Sequence, residues 1–215
     1  MKHLHTPTLQ SLSRRRWTVS LVALVGACLA LLPSGLSAHD LTLPPVPREL
    51  KVPAGHRPFL LGHASGTQNY ICLPKKADPG FAWTLFGPQA TLFNDDGMQI
   101  ITHFLSPNPK EGGMARATWQ HSRDTSTVWA QRSKSSSDPE FVDQEAIPWL
   151  LLEVVGKEGG PTGGHRLTKT KYIHRVHTSG GKAPATGCAE ASDVGKQAIE
   201  PYTADYIFYK ATGRD

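Results

Sequence analysis

An all-β domain, an antiparallel β-sandwich or barrel with long loops and at most one or two short helices, is the fold class this sequence predicts. Three observations carry that expectation. From Phe59 onward, short runs rich in Val, Ile, Thr and aromatics are separated by clusters of Gly, Pro, Asn and Ser, the signature of strands joined by turns. No stretch of ten or more residues repeats its apolar positions at the 3.6-residue period of an amphipathic helix. Gly and Pro together supply 33 of the 177 residues that follow residue 38, which suits many tight connections without reaching the fraction typical of low-complexity chains.

The 215-residue chain opens with basic residues through Arg16, an uncharged apolar run from Thr18 to Leu32, and the small-residue exit Leu36-Ser37-Ala38. That order predicts a secretory signal over residues 1–38, and the 15-residue run is too short for the roughly 20 residues a membrane-spanning helix needs. Periplasmic or extracellular export follows, with no stable membrane span after cleavage. Residues 39–53 carry prolines at 44, 45, 47 and 53, which favour an extended lead-in over a helix or central strand. One domain over 54–215 remains.

Within that domain the strand-like runs are 69–73, 82–86, 90–93, 99–105, 115–120, 127–131, 149–155, 170–177 and 205–209, with longer loops over 106–114, 133–138, 156–166 and 179–189. Asp95-Asp96-Gly97 reads as the turn between two of the strands. The near-continuous apolar run from Trp149 to Val155 predicts a strand covered on both faces. A short helix is expected from Ser192 or Asp193, which would cap it, to Glu200.

Charge and cysteine count narrow the function. The leader holds four of the 23 basic residues and none of the 18 acids, so its removal brings the net charge from +5 to +1. A near-neutral domain has no basic footprint for nucleic acid. Cleavage also removes Cys28 and leaves Cys72 and Cys188, and two thiols of a small domain in an oxidising compartment usually pair.

In order along the chain, Val52-Pro53, the segment from Gly66 to Cys72, Trp83 through Pro88 with Ala90, Gly97, His103, the run from Ile147 to Leu152, the segment from Arg175 to Gly181, Pro184 through Cys188, and the stretch from Tyr202 to Tyr206 with Phe208-Tyr209 resemble a family of exported proteins catalogued as domain of unknown function 3455. The resemblance covers about residues 50–210 and implies no reaction, ligand or catalytic residue. Where that pattern leads one to expect Asp-Gly-Ser, this chain has Asp124-Thr125-Ser126, which predicts a wider turn between its flanking strands.

Motifs for catalysis do not assemble. In Gly62-His63-Ala64-Ser65-Gly66 the second Gly follows Ser directly, so turn chemistry is the better reading than a nucleophile elbow. The segment from Gly159 to Gly164 lacks the Gly-Lys-Ser/Thr of a phosphate loop and reads as a surface loop. Histidine supplies the metal candidates. His103 and His121 would face each other if their strands formed a hairpin centred on Gly112. His39, as the mature N-terminus, would offer an amine and an imidazole to copper. His174 and His177, three apart on a strand, should point to opposite faces. Trp119 and Trp129 flank a polar stretch and are the aromatic candidates for contacting a ligand.

The leading expectation is therefore an exported, non-catalytic envelope or extracellular binding module without a cofactor, its partner an envelope or extracellular ligand such as a glycan. The alternative is a copper-dependent oxidative enzyme acting on polysaccharide through His39, His103 or His121.

Overall fold

The computed structural model describes Leu41 and residues 43–213, and the candidate leader and His39 lie outside the described residues. Eight strands close into one antiparallel barrel in chain order: β1 (His56–Pro74), β2 (Phe81–Phe93), β3 (Gln99–Asn108), β4 (Met114–His121), β5 (Thr127–Ser136), β6 (Trp149–Glu158), β7 (Thr170–Gly180) and β8 (Gln197–Ala211). Closure comes from β1, which pairs with β2 on one side and β8 on the other, leaving no sheet edge to template aggregation. The fold is thus the barrel of the two all-β alternatives.

Several local expectations change. The runs at 82–86 and 90–93 belong to the single strand β2. Gly62 to Gly66 is not a turn but the middle of the 19-residue β1. A Cβ at Gly66 would fall 2.2 Å from the Gln89 carbonyl oxygen, so glycine serves here for close passage against β2. The expected helix at 192–200 shrinks to a 3-10 turn, Ala191–Asp193, after which the chain enters β8. Asp193 does cap, but backwards, its carboxylate accepting from the Ala189 and Glu190 N–H groups.

Alternation divides each strand between an inner and an outer face. Inside, Trp119 of β4, with Tyr206 and Phe208 of β8, fills space left by the small Ala64 and Ala90. Outside, Leu50, Val142, Trp149, Leu151, Val176, Ile207 and Tyr209 form a second apolar cluster. The proline-rich lead-in is its lid. It runs over the outer face through the 3-10 turn Arg48–Leu50, and complete burial of Leu50 contributes about 1.5–3 kcal/mol. Here β6 is covered on both faces as its composition predicts, with Leu150 and Leu152 inside and Trp149 and Leu151 outside.

His174 ties the lid down. Its Nε2–H donates to the Leu50 carbonyl at 2.7 Å, and its Nδ1 accepts from the Tyr209 hydroxyl at 3.0 Å. His177 does not take the opposite face. The register of β7 against β8 shifts between Val176 and Ser179, His177 adopts φ 48°, and its ring packs edge-on against Trp149 on the outer side.

One end of the barrel is plugged. Leu167, from the β6–β7 connection, is fully buried in the inner cluster, and its N–H donates to Ser126 Oγ at 3.0 Å. The Arg166 N–H donates to Asp124 Oδ2 at 2.7 Å, while a Cβ at Gly160 or Gly164 would collide with the Asp124 carbonyl. Five residues, 122–126, connect β4 to β5. Thr125 takes the left-handed φ of 56° that glycine would adopt, and its N–H donates to the His121 carbonyl. At the other end, the Cys72–Cys188 disulfide spans 116 positions and staples the β7–β8 connection to β1.

Two outcomes follow for stability. Replacing both Cys72 and Cys188 by Ala is expected to lower the unfolding free energy by about 2–5 kcal/mol, read from urea midpoints; a loss below about 1 kcal/mol would show that the loop is held without the bridge. A β-branched residue in the left-handed region costs roughly 1–2 kcal/mol, and glycine's extra unfolded-state freedom returns about half of that. Thr125→Gly should therefore stabilise the barrel by about 0.5–1 kcal/mol, and a destabilised variant would mean that the Thr125 hydroxyl bond to the Asp124 carbonyl outweighs the strain.

Candidate ligand-binding site

The plug leaves a cavity of about 460 Å³ in the half of the barrel toward the disulfide. Inward positions of facing strands build it: Gln68 on β1, His103 on β3, Ala117 and Trp119 on β4, Ala130 on β5, Leu150 and Leu152 on β6, Arg175 on β7 and Tyr206 on β8. Register fixes Arg175 as inward, because it stands opposite Leu150 on one side and Tyr206 on the other. None of the residues lining the cavity is acidic.

Gln68, His103, Tyr202 and Tyr206 are buried, and Arg175 is half-buried. His103 is 3% exposed, stacks on Trp119 with ring centroids 4.2 Å apart, and donates from Nδ1 to the Thr118 carbonyl at 2.8 Å. Burial pushes its pKa down to about 3, so the imidazole is neutral at physiological pH and its Nε2 carries a lone pair. The Tyr202 and Tyr206 hydroxyls lie 3.2 Å apart. Desolvation raises both phenols above their ordinary value, with the Arg175 charge opposing it, so both remain protonated. Arg175 Nη2 donates to the Pro148 carbonyl at 2.8 Å, and Arg175 has no carboxylate partner among the described residues.

The residues singled out in the sequence separate. His103 stands opposite Trp119, and His121 stands opposite Ile101, so the two histidines are offset by two positions and do not face each other across the hairpin. The cause is the hairpin's closing pair, Asn108 with Met114, which puts the 3-10 turn Pro109–Glu111 and two glycines at its tip. His121 sits at the plugged end, its Nδ1 accepting from the Asp124 N–H at 3.3 Å. Trp119 lines the cavity. Trp129 faces outward on β5, buried under the β3–β4 hairpin, and donates to Ser106 Oγ at 2.9 Å.

A second polar cluster lies on the outer wall. His63 donates from Nδ1 to Asp205 at 2.6 Å and from Nε2 to Asp95 at 2.9 Å, and His177 Nδ1 donates to the other Asp205 oxygen at 2.9 Å. The hydrogen bonds to Asp95, then Asp205, raise the His63 pKa. Both ring nitrogens of His63 are occupied, and among the described residues no group of three or more His, Cys, Asp or Glu is placed to hold a metal ion.

Sequence reading passed over Gln68 and Arg175 as site residues. Arg175 follows the inward Ile173, but the outer face of β7 is covered as well, so alternation alone could not tell which side it faced.

The family model described as Protein of unknown function (DUF3455) matches residues 53–210. The chain belongs to that family. Membership in the DUF3455 family takes in all eight strands and the disulfide, while the lead-in that caps the outer cluster lies before the matched region. No curated protein and no solved structure matches the chain. No helix among the described residues is long and apolar enough to cross a membrane.

The buried histidine has a measurable consequence. Between pH 6.5 and 3 the unfolded chain protonates His103 while the folded chain does not, so stability rises with pH across that window and is lost as pH falls. His121 and His174, also lowered by burial, add in the same direction; His63, raised, acts oppositely and loses its contribution as pH climbs above 6.5. Urea unfolding at pH 6.5 and 5 should show His103→Gln losing about 1 kcal/mol less per pH unit than the parent. Equal losses would place the acid sensitivity elsewhere.

Proposed function

We propose that the protein is an exported, non-catalytic binding module that takes a small ligand into the open half of its barrel. The observation that carries this reading is the cavity of about 460 Å³ in a barrel otherwise filled by side chains and plugged at its far end. That volume is within the range of small-molecule sites, and its apolar walls with a few convergent polar groups match their usual make-up. Export is supported by the order of basic, apolar and small residues in 1–38 and by a disulfide, which persists in oxidising compartments.

The test uses protein recovered from the periplasmic fraction of a bacterial host and the neutral apolar dye N-phenyl-1-naphthylamine. Dye fluorescence should rise on uptake, and Ala130→Trp or Ala117→Phe, each adding bulk inside the cavity, should weaken uptake about tenfold or more with the unfolding temperature retained. No uptake by the parent chain, or unchanged uptake by both folded variants, would overturn the reading.

A further inference from the structure

We infer that the ligand is a carboxylate with an apolar body, its head group held by Arg175 and Gln68 and its body lying along Trp119, Leu150 and Leu152. This rests on the binding reading above and adds the chemical class.

Among the described residues, five buried side-chain nitrogen or oxygen atoms lack a hydrogen-bond partner. Three of them, Gln68 Nε2, Trp119 Nε1 and Arg175 Nε, belong to residues lining this one cavity, and all three are donors. Gln68 is 2% exposed and Trp119 fully buried, so bulk water does not serve them. Buried donors without acceptors destabilise a fold. A cavity with this composition is complementary to a group that brings acceptors and negative charge.

Charge selects an anion. Three arginines line the cavity. Arg116 at the rim is matched by Glu111, with contacts of 2.8 and 2.6 Å, whereas the exposed Arg132 and the half-buried Arg175 have no carboxylate partner among the described residues. The lining contributes no acid, Glu200 opposite Gln68 lying outside it. A neutral sugar or carbonyl compound would leave the guanidinium charge uncompensated. Geometry selects a carboxylate. The guanidinium fork and a carboxamide N–H are planar donors that suit a planar, two-oxygen acceptor. Arg175 stands opposite Tyr206 across the β7–β8 register, and β1, which carries Gln68, pairs along the other edge of β8, which places these donors at one side of the cavity.

The remaining wall selects the body. Ala117, Ala130, Leu150 and Leu152 form an apolar strip beside the polar Gln131, Arg132 and Ser135, and the lining reaches outward to Leu85, 51% exposed, whose chain neighbour Phe86 is 68% exposed. Exposed large apolar residues at a cavity's edge mark an entry for an amphipathic molecule better than for a sugar.

Displacement of N-phenyl-1-naphthylamine by two matched pairs, decanoate with decan-1-ol and cinnamate with cinnamyl alcohol, tests the class. In at least one pair the acid should displace the dye at about tenfold lower concentration than its alcohol. Arg175→Met should bring acid and alcohol within about threefold while the alcohol's own affinity holds, and Gln68→Leu should narrow the gap in the same sense. Should Arg175→Met fail to fold, Gln68→Leu decides. If the dye binds but neither acid outcompetes its alcohol, or the preference survives in Arg175→Met, the carboxylate inference falls and the binding reading stands. If the dye does not bind, the binding reading falls and takes the inference with it.

Discussion

The barrel depends on one strand being hydrogen-bonded along both of its edges. β1 runs 19 residues, pairing with β2 from His63 to Pro74 and with β8 from His56 to Ile71. Two partners at close range leave little space inside its middle, and Gly62, Ala64 and Gly66 meet that condition by having little or no side chain to place there. What they vacate is taken up by Trp119 from across the barrel and by Tyr206 and Phe208 from the adjoining β8. A larger residue at Gly66 would push β1 off β2, open the seam and expose two edges at once.

From that packing comes an uneven interior. Toward the β4–β5 turn, Leu167 and the Asp124 hydrogen-bond hub seal the barrel with apolar contacts and satisfied polar groups. Toward the disulfide, the same strands carry Gln68, His103, Arg175, Tyr202 and Tyr206, inward-facing polar residues that contribute less to stability than apolar ones of equal volume. A barrel whose only task was to be stable would not concentrate unpaired donors in one half. The outer lid works in the other direction: His174, neutral through burial, spends both ring nitrogens on holding Leu50 and Tyr209 together, so that histidine is structural.

Much of this architecture was legible in the chain. Strand locations, the turn at Asp95-Asp96-Gly97, the doubly covered β6 and the Cys72–Cys188 pairing all follow from local pattern or from counting. Misreadings cluster where a local rule met a tertiary demand. Gly62 to Gly66 looks like a turn because glycine usually punctuates, yet here it marks close backbone passage. Asp124-Thr125-Ser126 looks ill suited to a positive φ because threonine disfavours it, yet Thr125 takes one beside the docked Arg166 and Leu167 amides. His103 and His121 looked paired because a hairpin centred on Gly112 would align them, but the actual turn shifts the register by two and puts Trp119 opposite His103.

By itself the sequence determined that the domain is built of strands, where most of them run, and which cysteines are joined, because periodicity, turn chemistry and thiol number are local or countable properties. Only the tertiary structure decided that the sheet closes on itself, that Arg175 points inward while His174 points outward, and that one half of the interior stays open. The reason is that both faces of β7 are covered, one by the opposite wall of the barrel and one by the lead-in, so the polarity of its residues does not encode which side they face; that assignment comes from pairing with β6 and β8.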